Sequence, residues 1–187
     1  MIYIDPPWGL YRDKANAGQR GAGFKYPTMS LEEIKSLPIK EIAEDDSVLF
    51  IWTCWPLIFE TKEVIEAYGF EYKTIGFNWV KSNKKQTDTF FWAMGNYTRS
   101  NSEVCLIATR GKPKRVSASV HSVIMSPIEA HSKKPDEARK RIEQLYGDVS
   151  RIEIFARQEA AGWISIGNGI SGRDIRDELQ ELINKKD

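Results

Sequence analysis

Residues 47–54, Ser-Val-Leu-Phe-Ile-Trp-Thr-Cys, are almost continuously apolar. A run this short and this apolar fits a strand buried on both faces, the usual state of strands in a parallel sheet. Such a sheet must be covered above and below, so the rest of the chain has to supply amphipathic helices. Ile58, Thr61, Ile65 and Tyr68 have helical spacing over residues 57–68, and Gly69 stops that helix. Pro135–Tyr146 predicts another, with Ala138, Ile142 and Leu145 on one side and Gly147 at its end. Ser30 with Glu33 three residues on is a capping box, which predicts a short helix running up to Pro38. Residues 173–184 form a charged amphipathic helix. Further strands are expected at Ile2–Ile4, Tyr72–Val80, Val104–Thr109 and Arg151–Ala156. Strands alternating with helices over 187 residues predict one α/β domain with a mostly parallel sheet.

In such sheets ligands bind beyond the carboxyl ends of the strands. The first strand, Ile2–Ile4, runs straight into Asp5-Pro6-Pro7-Trp8. Two prolines have fixed φ and no N–H, so the loop leaving the strand is stiff. Asp5 and the carbonyls before the proline rings can accept hydrogen bonds, and Trp8 offers a flat apolar face. Two acceptors and a stacking ring suit an exocyclic NH2 on a nucleobase. Asp-Pro-Pro is also found as an ordinary turn, and a tryptophan there also serves as a core anchor. The segment from Ala156-Arg157 to Asn168 follows another strand and would face the same crevice. Residues 9–29 have no clear period and read as a mobile loop.

The charge is uneven. Residues 1–75 hold 8 basic and 12 acidic residues, residues 76–134 hold 10 and 3, and residues 135–187 hold 9 and 11. The middle third is thus a basic band on a chain of net charge +1. There Lys81, Lys84, Lys85, Arg99, Arg110, Lys112, Lys114 and Arg115 are interleaved with Phe90, Phe91, Trp92 and Tyr97. Cations among aromatics suggest nucleic acid, although charge alone is more often a solvated surface. No apolar run reaches the length of a membrane span, and the start lacks the basic region of a signal peptide. Cys54 and Cys105 lie inside apolar runs and read as buried free thiols, which fits a reducing cytoplasm. His121 and His131 are the only histidines, so a zinc site is not expected.

Several segments then agree in order. They run from Tyr3-Ile4-Asp5-Pro6-Pro7-Trp8 through Tyr26-Pro27-Thr28-Met29-Ser30, Val48-Leu49-Phe50-Ile51-Trp52, Trp79-Val80-Lys81 and Tyr97–Glu103. They continue through Ala108–Pro113, His131–Glu137 and Glu153–Arg157 to Trp163–Asn168. Over nearly its whole length the chain resembles the adenine-N6 methyltransferase family. That family includes the eukaryotic mRNA adenosine methyltransferase and many phage and prophage DNA adenine methyltransferases, and the short phage type is the nearer match. The resemblance implies a Rossmann-like methyltransferase fold, circularly permuted so that the catalytic motif precedes the cofactor-binding segments. It implies S-adenosylmethionine as cofactor. Lys134 would meet the cofactor's carboxylate, Glu153, Arg157 and Asn168 would surround its ribose and adenine, and Asp5 would lie near it. Tyr26 would border the substrate base. Gln158-Glu159-Ala160 follows Arg157 where the eukaryotic type has His-Asn.

Residue chemistry is consistent with these roles. A free amino-acid carboxylate needs a cation, and Lys134 stands at a helix N-terminus just before Pro135. Taken singly, Lys134 is equally a surface lysine, Arg157 a surface ion pair and Asn168 a turn residue. Taken in order behind Asp5-Pro6-Pro7-Trp8, they are half of a two-substrate site. The expectation is methyl transfer to adenine N6 in nucleic acid, DNA before RNA, with Lys81, Lys84, Lys85, Arg99 and Arg110 on phosphates. Glu103 is expected to order its loop with Asn101. Alternatives are a non-catalytic nucleic-acid-binding partner and methylation of another planar amine, such as a protein glutamine or cytosine N4. Pairing as a homodimer or heterodimer is compatible with the small size.

Overall fold

The computed structural model describes residues 1–9, 27–86, 88–92, 97–129 and 133–186. Tyr26, and most of the loop expected over residues 9–29, lie outside the described residues. Seven strands form one sheet in the order β5-β3-β4-β2-β1-β6-β7. They are β1 (Ile2–Ile4), β2 (Ser47–Thr53), β3 (Glu71–Ser82), β4 (Ser102–Arg110), β5 (Val123–Pro127), β6 (Ile152–Ile154) and β7 (Ile164–Ile166). Helices are α1 (Leu31–Lys35), α2 (Ile39–Ile42), α3 (Ile58–Ala67), α4 (Asp136–Tyr146), α5 (Asn168–Ser171) and α6 (Ile175–Asn184). A 3-10 turn, Trp55–Leu57, leads into α3. Among the described residues no helix is long and apolar enough to cross a membrane.

The pairing of β1 with β2 and β6, of β6 with β7 and of β3 with β5 is parallel. Only β4 runs the other way, between β2 and β3. The carboxyl ends of the other six strands therefore share one edge of the sheet, and the amino end of β4 joins them there.

Every residue of β2 is buried. Leu49 and Ile51 face Ile34, Val64, Ile65 and Leu179 from α1, α3 and α6. Val48, Phe50 and Trp52 face Ala138, Ile142 and Tyr146 of α4. Each fully buried side chain of this size contributes roughly 1.5–3 kcal/mol through loss of apolar surface to water. Polar tips are satisfied inside: Trp52 Nε1 donates to the Tyr3 hydroxyl at 2.6 Å, and Tyr68 Oη donates to the Ile34 carbonyl at 2.7 Å.

The expected helix after Ser30 forms with its capping box complete: the Glu33 amide donates to Ser30 Oγ at 3.2 Å, and the Ser30 amide to Glu33 Oε2 at 2.8 Å. The strand expected over residues 151–156 is shorter. Phe155 has φ 63°, in the left-handed region, and this breaks β6 after Ile154. Just beyond β7, Gly167 presses on the same spot. A Cβ there would stand 2.6 Å from the Ala156 carbonyl oxygen and 2.9 Å from its nitrogen, so only glycine lets the β6 and β7 ends approach.

Candidate active site

Asp5 leaves β1 at the centre of the shared strand edge, its peptide N–H directed at the Ile154 carbonyl, 3.4 Å away. The motif then folds tightly. The Trp8 amide donates to the Pro6 carbonyl at 2.9 Å, and the Pro7 carbonyl accepts from the Met29 amide at 2.9 Å. Gly9 donates to the Met29 carbonyl at 2.9 Å, and a side chain at Gly9 would collide with that oxygen. Trp8 Nε1 donates to the Trp52 carbonyl at 3.0 Å, which ties the indole to the end of β2. The Pro6 carbonyl, expected to be free, thus already has one lone pair engaged. A carbonyl oxygen carries two, so one remains.

Asp5, Pro6, Pro7, Trp8 and Met29 line a cleft of about 670 Å³, within the ~300–1,000 Å³ typical of small-molecule sites. Thr53, Cys54 and Glu103 stand on its β2–β4 side, and Phe155, Arg157 and Asn168 on its β6–β7 side. The far rim is closed by Arg176 of α6, paired with Glu33 of α1 at 3.0 Å.

Four charges form a line through the cleft. Lys134 Nζ lies 2.8 Å from Asp5 Oδ2 and 3.2 Å from Glu103 Oε2, and the other Glu103 oxygen is paired with Lys81. The two ammonium groups also sit over aromatic rings, Lys134 5.6 Å from the Trp52 centroid and Lys81 5.0 Å from that of Trp79. Burial disfavours the charge on Lys134, but the Asp5 and Glu103 carboxylates outweigh it and hold the ammonium above the usual lysine range. Burial likewise works against the Glu103 charge, yet Lys134 and Lys81 pull its carboxyl down to about 2. Asp5 goes the other way. Its burial wins over the single Lys134 contact and raises its carboxyl above the ordinary 3.8.

The residues expected from sequence thus separate into groups. Asp5, Pro6, Pro7, Trp8, Lys134, Arg157 and Asn168 all line the one cleft. Glu153 does not. It projects toward α4, where Arg139 Nη1 donates to both its oxygens at 2.7 and 3.1 Å. Lys81, expected on phosphate, points inward to Glu103 with only 17% of its side chain exposed. Lys84, Lys85 and Arg99 are exposed near the cleft end of β3 and β4. Arg110 lies at the opposite end of the sheet, paired in register with Ser47, its Nη1 on the Lys40 carbonyl at 2.8 Å. The basic band is therefore two patches at opposite ends of the strands. Two further residues carry more than their sequence suggests. Glu103, expected only to order its loop, joins the charged line, and the Trp55 indole N–H reaches Ser102 Oγ at 3.1 Å beside the cleft.

Lys134 beside Asp5, a stiff aromatic wall and polar groups at two further strand ends can hold two substrates side by side. The MT-A70 family model matches residues 1–169. The chain is 32% identical to the Type II methyltransferase M.MunI of a Mycoplasma species, over 99% of this chain and 83% of that protein. It is 27% identical to the human N(6)-adenosine-methyltransferase catalytic subunit METTL3, over 95% of this chain and 29% of that protein. An Arabidopsis thaliana N(6)-adenosine-methyltransferase MT-A70-like protein is 26% identical over 92% of this chain and 24% of its own length.

Proposed function

This chain belongs to the MT-A70 family of N6-adenine methyltransferases, and from that premise we propose that it methylates adenine N6 in nucleic acid, DNA in the first place, with Asp5 as the residue that orients the amine. The observation that carries the reading is the position of Asp5: mid-sheet, at the strand edge, between a rigid aromatic wall and a half-buried lysine. The Mycoplasma relative, matched over most of its own length, favours DNA. The chain spans about a quarter of the plant and animal relatives, which favour RNA.

The cleft suits S-adenosylmethionine in its donor set. Two N–H groups of the Lys134 ammonium serve Asp5 and Glu103, and an ammonium has three, so one is left for a carboxylate. The tight approach at Gly167 draws the β6 and β7 ends together, which brings Arg157 and Asn168 to one wall. Glu153 has its carboxylate taken by Arg139, so Arg157 and Asn168 rather than Glu153 are proposed as the polar contacts to the nucleoside part. When bound, S-adenosylmethionine supplies an electrophilic methyl group on a sulfonium.

The chain's own residues do the rest by position and charge. The adenine N6 lone pair is delocalised into its ring and is a poor nucleophile. The Asp5 carboxylate and the remaining lone pair of the Pro6 carbonyl accept the two N6 hydrogens and turn that lone pair outward. Trp8, pinned to Trp52, stacks on the base. Lys134 favours the ionised form of Asp5, against the effect of its burial. One N6 proton is lost in the net reaction, and Asp5 is the base in contact with it. In duplex nucleic acid the adenine must first be flipped out, at a cost of a few kcal/mol. The decisive experiment is incubation of the purified chain with labelled S-adenosylmethionine and DNA or RNA, then digestion and mass spectrometry. N6-methyladenine in either pool supports the reading, and its absence from both defeats it.

A further inference from the structure

Asp5 divides the strand edge into two parts. On one side lie β6 and β7, whose loops bring Arg157 and Asn168 to the cleft. On the other lie β2, β4, β3 and β5, and just beyond β2 two large aromatic side chains are exposed. Trp55 is 43% exposed and Phe59, four residues on at the start of α3, is 80% exposed. Trp55 opens the 3-10 turn and Phe59 stands in the first turn of the α3 helix that follows it. The residue before Trp55, Cys54, lines the cleft, and so does Glu103, the residue after its partner Ser102. The Trp55 indole therefore bridges the ends of β2 and β4 directly beside the charges that hold Asp5.

Two features separate Trp55 from a scattered surface aromatic. Its N–H is already satisfied by Ser102 Oγ at 3.1 Å, so the ring is fixed and what it presents outward is an apolar face. It also stands at the cleft end of the sheet, which Lys84, Lys85 and Arg99 share, and cations beside an exposed ring complement a phosphate backbone with stackable bases.

We propose that Trp55 is the stacking platform for the nucleobase next to the target adenine, with Phe59 extending it. The occupant is a nucleic-acid strand whose bases are unpaired at the target. The inference rests on the nucleic-acid methyl-transfer reading and adds a second base subsite to it. The flipped adenine enters between Trp8 and Asp5, and its neighbour lies on Trp55 at the mouth.

The test uses a dye-labelled single-stranded DNA with one central adenine, and the same strand with abasic sites on both sides of that adenine. Affinity is read by fluorescence anisotropy for the wild type, Trp55→Ala and Trp55→Phe. Trp55→Ala should weaken binding to the intact strand by about tenfold, and Trp55→Phe should keep most of the affinity. The abasic strand should cost the wild type a similar factor and cost Trp55→Ala little more, because both changes remove the same stacked pair. S-adenosylmethionine affinity, by calorimetry, should be equal in all three. Equal DNA binding by Trp55→Ala and wild type overturns the platform. So does the same abasic penalty in both, or a parallel fall in cofactor affinity, which would mark a structural role. Base-dependent binding through Trp55 without any N6-methyladenine would uphold the platform and defeat the transfer reading instead.

Discussion

Lys134 neutralises Asp5 and Glu103 from one nitrogen, and in the proposed reading its third N–H meets a cofactor carboxylate. Asp5→Ala removes the proposed amine acceptor and should lower turnover at least about a hundredfold while leaving the thermal melt of the chain in place. Lys134→Met should weaken S-adenosylmethionine binding in calorimetry. It should also move the acid limb of the rate. Because burial raises the Asp5 carboxyl above 3.8, activity that needs its carboxylate rises with pH through a midpoint above that value. Without Lys134 the midpoint should rise further. Glu103 has the opposite sign. With its carboxyl pulled from 4.5 to about 2, its ion pairs stabilise the folded chain fully above pH 4.5 and are lost as pH falls toward 2. The stability gap between wild type and Glu103→Gln should therefore shrink across that window in melts taken at stepped pH. The Asp5 motif was readable in the sequence because four contiguous residues carry it. The Lys81–Glu103–Lys134 line was not. Its members stand in separate segments, and only the insertion of β4 between β2 and β3 makes them neighbours.

At the scale of elements, the meeting of β6 and β7 rests on one glycine. Gly167→Ala pushes a methyl against the Ala156 backbone and should cost about 1–3 kcal/mol in denaturant unfolding, with a drop in cofactor affinity as Asn168 is displaced. Ser30→Ala breaks the capping box of α1 and should cost about 1 kcal/mol without touching cofactor affinity. The long elements were legible: β2 from its unbroken apolar run, α3 and α4 from their spacing and terminal glycines. Strands β5 and β7 were not, because five and three residues are too few to show a period, and neither is an unbroken buried run. The reversed direction of β4 leaves no mark either. Its central residues, Val104–Leu106, are buried whichever way it runs.

For the whole molecule, the split of the basic band makes a sharp expectation. Lys84→Ala with Lys85→Ala should flatten the dependence of log affinity for nucleic acid on log salt, by about 0.7–0.9 for each phosphate no longer neutralised. Arg110→Ala, at the far edge, should leave that slope unchanged. The excess of positive charge was plain in the sequence, but which end of the sheet each cation reached depended on strand direction, which composition does not encode. That same geometry has a consequence for engineering. The segment joining β3 to β4 departs after Ser82 and returns at Ser102, and Val80 pairs with Ser102 across the two strands. Both of its ends are thus anchored at the mouth of the cleft, one pairing step apart. A change in its length or sequence should therefore alter what the mouth admits while the sheet, Asp5 and Lys134 stay where they are.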